Sequence, residues 1–178
     1  PKNGYAFIGW GDGTNLVSLA STYKYKVPAD GVALTAMFKK ESELAKPEFT
    51  WDGGTNLTVG VSYSAKLSVD GEAAISIMKV SGLPKGLTYK SGKVSGVPTK
   101  AGVATVAVTV ALDSNKKKVW TYKVRLNVVA LPAFARGTFN GWSFDADYYY
   151  KRKITVSVTT AGKITAKVGT LSFSRSGW

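Results

Sequence analysis

Apolar and polar residues alternate with period two along most of this chain, in short runs broken by glycine and proline, which predicts strands and turns throughout. The longest runs lie in the middle. Over 103–112, Val106, Val108 and Val110 face one way and Thr105, Ala107, Thr109 and Ala111 the other. Over 118–129, Val119, Thr121, Lys123, Arg125 and Asn127 alternate against Trp120, Tyr122, Val124, Leu126 and Val128. Earlier strands are predicted over 56–61, 62–69 (Tyr63, Ala65, Leu67 and Val69 in phase) and 73–80, with a hairpin-type turn at Asp70-Gly71. Between them, Leu83-Pro84-Lys85-Gly86 and Ser91-Gly92 are turns around two short strands, 87–89 and 93–96, followed by a third loop over 97–102. About seven short strands with turns every ~8–12 residues describe a two-sheet sandwich.

The ends carry the same grammar with less apolar content. Strands are predicted over 5–9, 22–27 (Tyr23 and Tyr25 against Lys24 and Lys26) and 32–38, with turns at Gly11-Asp12-Gly13 and Pro28-Ala29-Asp30-Gly31. Residues 39–47 form a charged connector, and the one short helical turn expected in the chain falls at 41–45, closed by Pro47. After Pro132, strands over 137–142, 153–160, 163–168 and 171–174 read as an antiparallel meander. These patterns divide the chain at 1–48, 49–131 and 132–178. Three strands bury little core, so 1–48 is expected to pack on the middle segment or on the C-terminal one. The meander must hide its edges, so it is expected to pair with the N-terminal segment or with another copy of the chain.

The run G-L-P-x-G-L-x-Y at 82–89, followed by G-x-V-S-G-x-P at 92–98 and Gly102, resembles the bacterial immunoglobulin-like domains related to cadherin-like modules. That resemblance implies a sandwich and an extracellular spacer or adhesion role, and it implies no particular ligand. The acidic calcium-binding runs of some cadherin-type relatives are missing. G-Y-x-F-x-G-W at 4–10 and Y-x-V-P-A-D-G-V-x-L-x-A-x-F at 25–38 resemble the listeria-type (internalin B) repeats, which are small β-grasp-like units of surface proteins. The strand and helix that open that unit are absent ahead of Gly4. The meander resembles half of a small barrel of the G-x-F-x-G…G-K-I-x-A-K type repeated in large bacterial surface proteins. The expected fold is therefore all-β: an immunoglobulin-like β-sandwich flanked by two small antiparallel β-meander segments. The start Pro-Lys-Asn-Gly, without an initiator methionine, suggests a piece of a longer protein.

Composition narrows the chemistry. Cysteine and histidine are both absent from the 178 residues, which removes Cys/His zinc sites, thiol nucleophiles, imidazole bases and the Ser-His-Asp arrangement. The 11 carboxylates contain no D-x-D-x-D run for calcium. Asp145 with Asp147, and Asp52 with Asp70, are the pairs to weigh for glycoside cleavage, and Asp145 and Asp147 read as residues of a turn-like loop. No glycine cluster precedes a helix, so nucleotide binding is excluded. The expectation is a non-catalytic module with no cofactor, no metal and no membrane span.

Net charge is +13, distributed as +1, +7 and +5 over the three segments. Such a field favours polyanions, and lysines on strand edges also block edge-to-edge pairing. Aromatic residues offer stacking platforms at Trp10, Trp51, Trp142, Trp178 and Tyr148-Tyr149-Tyr150. Only Tyr148, Tyr149 and Tyr150 beside Lys151, Arg152 and Lys153 combine aromatics with dense positive charge, and strand alternation sends consecutive members to opposite faces. The candidate ligand-binding residues are Trp142, Tyr148, Tyr149, Tyr150, Lys151 and Arg152. The expected partners are other domains of the same parent protein, a glycan or another anionic polymer, and a second copy through unpaired β-edges. The expected location is extracellular, at the bacterial cell surface.

Overall fold

A computed structural model describes residues 2–13, 15–144 and 151–176. Fifteen strands make up these residues: β1 (Tyr5–Gly11), β2 (Leu16–Ser18), β3 (Thr35–Lys40), β4 (Glu48–Asp52), β5 (Asn56–Thr58), β6 (Tyr63–Asp70), β7 (Ile75–Ser81), β8 (Leu87–Lys90), β9 (Lys93–Gly96), β10 (Gly102–Leu112), β11 (Val119–Val129), β12 (Gly137–Phe144), β13 (Lys151–Val158), β14 (Lys163–Val168) and β15 (Leu171–Ser176). The only helical pieces among them are 3₁₀ turns at Glu41–Glu43, inside the charged connector, and at Ala133–Ala135.

The middle strands form two four-stranded sheets, ordered β4-β6-β9-β8 and β5-β11-β10-β7. This is the strand arrangement of an immunoglobulin-like sandwich, and its core is the alternation read from the sequence. Ala65, Leu67 and Val94 from one sheet and Val106, Val108, Val110, Leu126 and Val128 from the other are buried. The turn-rich stretch between β7 and β10 is built on close backbone approach. A Cβ on Gly86 would sit 2.0 Å from the Val97 carbonyl oxygen, and one on Gly96 would sit 2.1 Å from that of Gly86. The amide of Leu87 donates to Pro84, and that of Thr99 donates to Lys85. Asp70-Gly71 is not a hairpin turn, because β6 and β7 belong to different sheets. The 71–74 loop crosses between them instead.

By contacts, the chain divides into two compact units, each assembled from separate stretches. The first comprises Pro1–Trp51, Leu67–Ser81 and Ala107–Lys123. In it β1 is flanked by β2 and β3, both antiparallel. With both edges of β1 taken, no edge of that strand remains for 22–27. The strand expected there is absent, although Tyr23 and Tyr25 keep their rings 5.9 Å apart. The third expected strand begins only at Thr35. Ala6 of β1 is buried with Ala73 and Leu112, and Ile8, Leu44, Ile75 and Trp120 pack around this cluster. The N-terminal segment is thus packed on the middle segment, one of the two expected solutions.

Polar contacts surround that cluster. The Lys39 ammonium donates to both Glu72 oxygens at 3.0 and 2.8 Å, and the Ala45 amide donates to Glu72 at 3.3 Å. Asn115 Nδ2 donates to the Glu41 carboxylate at 2.9 and 3.0 Å. The Tyr122 hydroxyl donates to the Pro47 carbonyl, and its ring stacks on Phe49 at 4.9 Å. Burial raises the Tyr122 hydroxyl above the usual tyrosine pKa.

The second unit comprises Asp52–Lys66, Gly82–Val106 and Val124–Trp178. Here β5 pairs in parallel with the end of β11, Asn56 against Asn127 through Thr58 against Val129. The C-terminal strands form one antiparallel sheet, β12-β13-β14-β15. Among the described residues they pair with each other only, so the expected pairing with the N-terminal segment is not made. The sheet meets the sandwich where two loops touch. A Cβ on Gly162 would fall 2.2 Å from the Gly60 Cα, and both glycines have positive φ (76° and 80°).

Three outcomes are expected. Leu112→Ala should cost about 2–5 kcal/mol in chemical denaturation and should lower hydrogen-exchange protection in β1 and β3 along with that of β10. Gly162→Val puts a branched side chain into the Gly60 contact at a left-handed position. It should release the amides of β13 and β14 to exchange while leaving Val106–Val110 protected. The Glu72 carboxyl is held below the usual range, first by its hydrogen bond from Lys39 and then by that from Ala45. Its stabilisation is complete above the ordinary glutamate pKa and is lost as pH falls through the lowered value. Between about pH 5 and 3 the wild type should therefore lose more denaturation midpoint than Glu72→Gln.

Candidate functional site

Two surfaces gather aromatic side chains with charge. The first is one face of the C-terminal sheet. Register places Thr138, Asn140, Trp142 and Phe144 of β12 opposite Ser157, Thr155, Lys153 and Lys151 of β13. Lys167 of β14 lies opposite Thr155 on the same face. The Trp142 ring is 60% exposed, and the Lys151 ammonium lies 5.7 Å from the centre of the Phe144 ring. Trp142 and Phe144 thus share one face with Lys151, Lys153 and Lys167.

Of the residues singled out from the sequence, Trp142 and Lys151 share this face. Arg152 does not: it pairs with Ser143 on the opposite face, because neighbours on a strand point apart. Tyr148, Tyr149 and Tyr150, with Asp145, Asp147 and Trp178, lie outside the described residues. Phe144 was missed as a site residue, although its spacing of two from Trp142 is the signal that places it there.

The second surface lies within the first unit and rests on a bulge. Phe7 pairs with Phe38, Gly9 with Met37 and Trp10 with Ala36, leaving Ile8 as the extra residue. Without it, Phe7 and Trp10 would point to opposite faces; the bulge turns Trp10 onto the face of Phe7. The Phe7 ring then meets Trp10 at 5.5 Å and Phe38 at 5.7 Å, both edge-to-face. These rings line a cleft of about 390 Å³ with Ser21, Ala36, Ala74, Asp113 and Ser114. The Trp10 indole nitrogen is buried without a hydrogen-bond partner.

Asp113 accepts from Ser76 Oγ at 2.7 Å and from Lys116 Nζ at 2.5 Å. Burial pushes its pKa up, but the hydrogen bonds from Lys116 and Ser76 and the Lys116 charge together outweigh that, and the carboxyl sits below its usual range. At neutral pH the cleft is therefore lined by aromatic rings and an anionic carboxylate.

Among the described residues no group of three or more Asp or Glu side chains is placed to hold a metal ion. Asp52 and Asp70 are each exposed. No helix among these residues is long and apolar enough to cross a membrane.

No curated protein matches the chain. Two families match parts of it. The Divergent InlB B-repeat domain covers residues 1–42, the stretch of β1 to β3 and the start of the 3₁₀ turn that follows. The family described as Putative Ig domain covers 44–134, about half of the chain and the whole of both sandwich sheets. With an immunoglobulin-like fold joined to a B-repeat, the combination is that of a bacterial surface-protein module. Through residues 44–134, the chain belongs to the Putative Ig domain family.

Proposed function

We propose that this chain is a non-catalytic spacer or adhesion module of a bacterial protein exposed at the cell surface. The observation that carries this reading is the parallel pairing of β5 with the end of β11. The chain enters the sandwich through β4, continues directly into β5, and leaves through β11. The Asn127 amide donates to the Thr55 carbonyl at 2.8 Å, and the Val59 amide donates to the Val129 carbonyl at 2.9 Å. Tension transmitted through β4 pulls the start of β5 and the end of β11 in opposite directions. Parallel strands loaded this way slide in shear, so their hydrogen bonds bear load together rather than one after another. A spacer that carries force needs such an arrangement; an enzyme does not.

A second reading, binding of a glycan or another anionic polymer, is favoured by Trp142. A tryptophan 60% exposed among Phe144, Lys151 and Lys153 is costly to leave bare unless something stacks on it. Tyr148, Tyr149 and Tyr150 adjoin these residues in sequence, and Arg152 would add charge from the other face. A glycan array at low and at physiological salt tests this reading: retention that weakens with salt and disappears in Trp142→Ala supports it, and no retention in either salt removes it.

The spacer reading is tested by force spectroscopy on defined pulling axes, which the absence of native cysteine makes simple. Attachment through Gly54→Cys and Ala130→Cys loads β5 and β11 in shear. Attachment through Val61→Cys and Ala130→Cys opens the same pair from one end. Gly54 has open space where a Cβ would go, so the change is tolerated. The shear axis should require a several-fold higher unfolding force. Equal forces on the two axes would remove the load-bearing role.

A further inference from the structure

The C-terminal sheet has a second face, and it is apolar. Register sets Phe139, Val156, Ala166 and Phe173 in one row across β12 to β15, and Gly141, Ile154, Val168 and Leu171 in the next. Val158 and Ile164 extend the face towards the Gly60 contact, where Arg175 closes its row. Arg152 and Ser143 stand at the opposite end. The charged residues of this face thus sit at its two ends, and its centre is hydrocarbon. Phe139 is 46%, Leu171 56% and Phe173 60% exposed. Among the described residues, β12 and β15 each also leave one edge unpaired.

A single layer of four strands, bare on its apolar face and open at both edges, is poorly stable and prone to associate. We propose that a second copy of this chain covers the face, the two four-stranded sheets closing into one eight-stranded antiparallel barrel around a two-fold axis. Strand direction permits this. The four strands alternate up and down, so β15 of one copy runs antiparallel to β12 of the other, and the same seam recurs on the far side. Eight strands enclose an interior that side chains just fill, with no pore.

The edges fit each other. On β12, Phe139 stands between two glycines, and Gly141 has open space where a Cβ would project and an ordinary φ. Among the described residues no atom lies within 4 Å of that Cβ position. The gaps beside Phe139 provide room opposite Leu171 and Phe173, the bulky residues of the β15 edge.

Size agrees too. Four strands at ~4.8 Å spacing and about six residues at ~3.4 Å give a patch of roughly 400 Å² in projection. Side-chain relief and the two paired edges raise it towards the ~800 Å² per partner that stable pairs bury. Trp142, Phe144, Lys151 and Lys153 stay on the outside, so closure leaves the polar face free.

Sedimentation of the full chain at tens of micromolar tests the proposal. The expected species has twice the chain mass, Phe139→Glu and Phe173→Glu should each return it to a monomer, and Trp142→Ala on the outer face should leave it paired. A monomeric wild type overturns the inference outright. Because the glutamate variants can fail by unfolding, a second measurement uses Asn140→Cys with Ser174→Cys and a bismaleimide shorter than 10 Å. Within one chain these edge positions lie three strand spacings and two residues apart, about 16 Å. Only a β12–β15 seam between copies brings them within reach. A covalent dimer linking position 140 of one copy to 174 of the other is the expected product, and a dimer that yields no such link also overturns the proposal.

Discussion

The valine row of β10 is the constraint on which the rest of the structure depends. Val106, Val108 and Val110 are wholly buried, and they fix which face of their sheet is core. A slip of one residue would turn that row to solvent and bring Thr105, Ala107 and Thr109 inside, so the register of β10 against β7 and β11 is set by hydrophobic burial rather than by hydrogen bonding. At the end of the strand the alternation stops, and Ala111 and Leu112 are both fully buried. Leu112 meets Ala6 of the N-terminal repeat there. One strand therefore serves the core of the sandwich and, at its last residue, the anchorage of a segment too small to hold itself.

That anchorage explains how a three-stranded segment persists. Three short strands with one fully buried alanine cannot offset the entropy of ordering them. The repeat borrows Ala73, Ile75, Leu112 and Trp120 from the middle segment and adds polar ties through Glu72 and Asn115. The exposed ion pair adds little by itself; its value lies in fixing the 71–74 loop beneath β3. The C-terminal sheet is held differently. It meets the sandwich through a close backbone approach of Gly60 and Gly162, and Phe139, Trp142, Leu171 and Phe173 stay exposed.

Much of the fold was legible from residues. The in-phase apolar positions of 103–112 and 118–129 became β10 and β11, and β14 falls at 163–168 as its pattern predicts. The turn chemistry of 82–102 was readable because glycine and proline are required there by local backbone geometry. Reading failed where alternation lacked a partner: 22–27 has a strand's pattern but no free edge beside β1. It failed again at Asp70-Gly71, where a hairpin dipeptide serves a crossing between sheets. Of the candidate site, Trp142 and Lys151 were found from composition, while Phe144 and the separation of Arg152 required the register.

The sequence by itself determined an all-β chain, its core strands, the absence of thiol and imidazole chemistry, and a positive field, because each of these follows from local pattern or from counting. It did not determine which aromatic rings meet. The bulge at Ile8 turns Trp10 towards Phe7 and Phe38, and cross-strand pairing puts Trp142 and Phe144 beside Lys153 and Lys151. Those outcomes depend on which strands pair and in what register. Long-range burial decides that, and no window of neighbouring residues contains it.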